Sequence, residues 1–131
     1  MSSGDIQARI NSLYNQISVY NGNISELEEY KAQVIKEQSI IEDTVLNRNR
    51  AYDMSNGNTW LGNCMHEAEA YQEDISIEIK GSLLQTESLI ANIVGIINRI
   101  SNMIDDCNRK ISYLQAELER VRIAEEMSKK Y

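Results

Sequence analysis

The sequence predicts an all-α protein, a long antiparallel helical hairpin of coiled-coil type. Three observations carry that prediction. No proline occurs among the 131 residues, so nothing in the chain forbids long helices; an internal proline costs a helix about 3 kcal/mol. Two extended stretches repeat apolar residues at alternating spacings of four and three, the period of a helical seam. Between them lies one break, SNGNTWLGN, residues Ser55 to Asn63, with two glycines, three asparagines and the sole tryptophan.

The first seam runs Ile6, Ile10, Leu13, Ile17, Tyr20, Ile24, Leu27, Lys31, Val34, Gln38, Ile41 and Val45. Only Lys31 and Gln38 are polar, and polar seam residues fix register or partner at some cost in stability. The predicted helix covers about residues 5–52. In the break, Gly57 suits the left-handed position that ends a helix, and Asn58 or Thr59 suits the cap of the next. The bend is placed at about 53–62. A short connection between long helices makes them antiparallel neighbours.

The second seam runs Ile79, Leu83, Thr86, Ile90, Ile93, Ile97, Ile100, Ile104, Cys107, Ile111, Leu114, Leu118 and Val121. Its helix is predicted over about 63–129. Glu125 with Lys129 and Glu126 with Lys130 support its end as i,i+4 pairs. One hairpin domain therefore spans 1–131. Two excesses of apolar surface point beyond it. Folding about the bend sets Ile6 near Arg109, which leaves Leu114, Leu118 and Val121 projecting past the first helix. Leu89, Ile96 and Met103 flank the seam on one side and Val94 on the other, a wider stripe than two helices need. A four-helix bundle is expected, as a homodimer or with a second protein, burying these seven residues.

Net charge is −7. Phosphate contact needs a basic patch, and none stands out in the linear sequence, where the local run is Lys129-Lys130. Nucleic acid is not expected as a partner. No apolar run reaches the roughly 20 residues of a membrane span, so no membrane insertion is expected. The N-terminal MSSGDIQARI lacks the basic and apolar regions of a secretory signal peptide, so synthesis and folding in the cytoplasm are expected. Cys64 and Cys107 are read as free thiols, with Cys107 a small buried hydrophobe of the seam.

No catalytic, cofactor or metal site is expected, and the chain is read as a non-enzyme. His66 is the single histidine. Its neighbours Cys64, Glu67, Glu69 and Glu73 would need further ligands from elsewhere, and helical di-iron sites take a histidine from each of two helices. Cys64 and His66, two apart, point to different faces of a helix.

Trp60-Leu61-Gly62 is a W-x-G motif at the bend. An indole buries a large apolar face and seeks a partner for its N–H, and Gly62 lets backbone approach the ring closely. With this motif between two seam-bearing segments, the chain resembles the WXG superfamily of small helical hairpins linked to type VII (ESX) secretion in Gram-positive bacteria. Its length and isoleucine-rich second helix resemble the YwqH-like branch, which accompanies LXG polymorphic toxins. That resemblance implies a helical partner or targeting factor. It would bind the helical N-terminal region of an LXG-type toxin, or another small WXG-like protein, and would be exported without a cleaved signal peptide. It also implies a Tyr-x-x-x-Asp/Glu export signal near the C-terminus, which Tyr113 and Glu117 match. The alternative is a cytoplasmic coiled-coil chaperone or scaffold of prefoldin type. That family places β-hairpins between its helices, whereas residues 52–62 carry no alternating β-branched run.

Overall fold

A computed structural model describes residues 1–51 and 62–130, with side chains for 1–50 and 66–130. The predicted bend and Trp60 lie outside the described residues. All described secondary structure is helical: α1 (Ser3–Ile40), a π-helical segment (Ile41–Leu46), α2 (Asn47–Ala51) and α3 (Gly62–Lys130). The chain is an all-α helical hairpin.

Two compact units make up the chain. The first joins Met1–Glu28 to Gly95–Tyr131. Its α1 starts on a reciprocal cap. The Asp5 amide donates to Ser2 Oγ at 3.2 Å, and the Ser2 amide donates to Asp5 Oδ2 at 3.4 Å. Two donors at the helix end are thereby satisfied. Beyond the cap, Ile6, Ile10, Ile111 and Leu118 form a buried cluster, with Leu13, Ile17, Leu114 and Val121 packed against it. Each of the eight is a predicted seam residue. The helices are antiparallel: Ser3 bonds to Glu125, and the Cys107 thiol lies 3.6 Å from Gln16 Oε1.

This core corrects the predicted register. Leu118 is 7% exposed within the chain's own core, in a cluster with Ile6. Leu114 and Val121 pack beside it. None of the three is the uncovered overhang expected from pairing Ile6 with Arg109. The reason is physical. A seven-residue repeat matches itself after a slide of seven, so the seam pattern permits several registers. The one adopted covers the apolar end of α3, where each buried leucine or valine is worth about 1.5–3 kcal/mol.

The second unit is Glu29–Val94. Val34 and Ile93 are buried at its seam positions. The polar seam residue Gln38 turns its amide across the hairpin and donates to the Leu83 carbonyl at 3.5 Å. Nearer the bend the seam becomes polar. Asn49 donates to the Gln72 carbonyl at 3.0 Å and to Ser76 Oγ at 2.9 Å, and the Gln72 amide donates back to the Asn49 carbonyl. These bonds satisfy Ser76, which is 4% exposed and would otherwise lose about 1–3 kcal/mol to desolvation.

The π-helical segment was not anticipated from the sequence. Its signature is the Asn47 amide donating to the Glu42 carbonyl, five residues back. The Thr44 hydroxyl occupies the Ile40 carbonyl at 2.5 Å, competing with the ordinary backbone bond. Crowding by the β-branched Ile40, Ile41, Thr44 and Val45 adds to the strain on a regular helix. A π turn inserts one residue into the period, and the buried face slips by one. Leu46 is buried and Asn49 half-buried, while Ile41 and Val45 face solvent. An unbroken 4-3 pattern would carry Arg48 into the seam three residues after Val45. The slip sets Asn49 there instead, and burying an arginine without a partner costs far more than exposing two aliphatic side chains.

Candidate interaction surface

The predicted site residues fall in three groups. Trp60 lies outside the described residues, and Gly62 opens α3. Tyr113 and Glu117 sit on α3 in the first unit. Tyr113 stands out in solvent at 70% exposure, while Glu117 is half-buried and accepts from the Arg120 guanidinium. The third group is the flanking row of α3. Leu89, Ile96 and Met103 repeat at seven-residue spacing, each about two-fifths exposed, and Val94 is equally exposed on the opposite flank. The seam residues Ile93, Ile97 and Cys107 on the same helix are buried. The flanking residues are thus more exposed than the seam they border.

Sequence reasoning missed a second feature. In the first unit, Arg9, Ser12 and Leu13 of α1 face Arg109, Lys110, Tyr113 and Leu114 of α3 around a groove of about 550 Å³. Leu13 and Leu114, members of the core or its margin, form the floor. Three cations stand at the rim. Arg109 is shared with its neighbour Asp106, whose hydrogen bond and charge raise the guanidinium pKa further. The available signal was the seam geometry itself: Arg9 and Lys110 each directly precede a seam isoleucine, and in an antiparallel pair such positions meet on one side.

Charge is unevenly divided. The first unit holds eight basic and nine acidic residues, and the second holds the remaining five basic and eleven acidic, so their formal charges are −1 and −6. The acidic excess is concentrated where α3 begins: Glu67, Glu69, Glu73, Asp74 and Glu78 lie within twelve residues.

Among the described residues, no three of His, Cys, Asp and Glu gather as metal ligands, and no helix is long and apolar enough to cross a membrane. Cys107 is a buried free thiol. Cys64 lies outside the described side chains. No family model matches the chain, and neither a curated protein nor a solved structure does.

Proposed function

We propose that this chain is a non-enzymatic helical partner and targeting factor for a type VII-secreted LXG-type toxin, binding the toxin's helical N-terminal region. The observation that carries the reading is the row Leu89, Ile96 and Met103, with Val94 beside it, left exposed on α3 outside a seam that is already buried. Aliphatic side chains at seven-residue spacing suit the edge of a helical bundle rather than a solvated face. A partner presenting one or two amphipathic helices would cover them and complete a four-helix assembly. Binding then rests on apolar burial along helices, and the toxin's hydrophobic N-terminal region is kept from aggregating before export. The W-x-G at Trp60 and Gly62 and the Tyr113–Glu117 pair support export as part of the same assembly. Exposure of Tyr113 fits a residue that another component reads.

The test begins with the flanking genes and proceeds by co-expression. A toxin with a helical N-terminal region should be encoded beside this chain, and the two should co-purify as a stoichiometric complex. Ile96→Glu with Met103→Glu should abolish the complex while the free chain stays helical by circular dichroism. Tyr113→Ala should leave the complex intact and stop its export. The absence of such a neighbouring gene, or of a complex when both are expressed, ends this reading.

A further inference from the structure

We propose that the cationic groove of the first unit receives the acidic face of residues 67–78 from a second copy of this chain. The groove is amphipathic. Arg9, Arg109 and Lys110 stand around an apolar floor of Leu13 and Leu114, with Tyr113 at one side. A polyanion such as nucleic acid has no use for the aliphatic floor. The fitting occupant alternates carboxylates with apolar side chains on one helical face.

The chain itself carries such a face. Glu67, Tyr71, Asp74, Ile75 and Glu78 follow at spacings of four, three, one and three. At 3.6 residues per turn these positions share one side of α3. The side is turned away from the local seam, where Ser76 is buried and Gln72 is half-buried. Tyr71 is 67% exposed and Ile75 47%. Three carboxylates thus surround two solvated apolar side chains, the complement of Arg9, Lys110 and the Asp106-paired Arg109 around two leucines. Both units are net negative, at −1 and −6, so the attraction that selects this pairing is local, between the rim cations and the three carboxylates. Apolar burial of Tyr71 and Ile75 supplies the affinity, and the charges set the orientation.

This inference concerns the chain alone and does not depend on the toxin partner. It is tested on the full chain by light scattering and sedimentation at tens of micromolar. At low salt the mean mass should rise above the 15.0 kDa of one chain and fall back as salt screens the charges. Two variants reverse one side each: Arg9→Glu with Lys110→Glu, and Glu67→Lys with Asp74→Lys and Glu78→Lys. All five positions are exposed, so both variants should keep the wild-type helicity. Each alone should associate about tenfold more weakly or worse, since each faces like charge with like. Mixed in equal amounts they should associate again, because the acidic groove of one then meets the basic face of the other. Three results would overturn the proposal: a monomeric wild-type chain, variants that associate as the wild type does, or a mixture that stays monomeric. No other protein is present in this experiment, so its failure is distinct from failure of toxin binding.

Discussion

Glu125 accepts two hydrogen bonds from Ser3, one from the amide at 3.1 Å and one from the hydroxyl at 2.8 Å. The pair ties the first turn of α1 to the last turns of α3, and it places a carboxylate at a helix N-terminus, where the peptide dipoles favour negative charge. The Ser3 amide, then its hydroxyl, hold the Glu125 carboxyl below its ordinary value of 4.5. The consequence for pH has a definite sign. A depressed carboxylate stabilises the fold above its unfolded pKa and loses that contribution as pH falls through the folded one. Amide exchange at the start of α1 should therefore accelerate relative to the middle of α1 as pH falls below about 4.5. Glu125→Gln should show the fast terminal exchange at neutral pH and remove the pH dependence of that difference.

Leu118 belongs to the chain's own core, so its truncation should destabilise the isolated chain. Leu118→Ala is expected to cost about 2–5 kcal/mol. Urea unfolding of the free protein measures it. A loss of assembly with unchanged free-chain stability would return Leu118 to the surface role first expected of it.

Leu46 and Val45 are neighbours with opposite roles. Leu46→Ala should cost about 2–5 kcal/mol, as a buried leucine does. Val45→Ala should be within about 0.5 kcal/mol of neutral, since the side chain is half-exposed and alanine is the better helix former. Equal losses at the two positions would mean that the helix continues regularly through Ile41–Leu46 with Val45 in the seam.

Cys107 is 5% exposed, and its thiol lies 3.6 Å from Gln16 Oε1. It should react with a thiol reagent far more slowly in the native chain than in urea, at a rate set by opening of the first unit. Ile111→Ala, in the adjacent core, should speed that reaction roughly in proportion to the stability it removes. A native rate equal to the unfolded one would place Cys107 outside the seam.

Much of the fold was legible because a helical seam is a one-dimensional signal. From Ile79 to Val121, each residue at the alternating spacing is buried or half-buried, since the period follows from local backbone geometry alone. The absence of proline was likewise a local fact, and the predicted turn at Gly57 lies outside the described residues. Register was not legible. Ile6 shares a buried cluster with Leu118 rather than pairing with Arg109, because a repeating pattern admits several alignments, and the choice depends on the apolar area each buries across the whole pair. Nor was the slip at Ile41–Leu46: the sequence offers Ile41 and Val45 as good seam residues, and only the competing costs of Arg48, Asn49 and Leu46 decide against them. The groove of Arg9, Arg109 and Lys110 has the same origin. Its members lie about a hundred residues apart, and no local reading brings them together until the two helices are aligned.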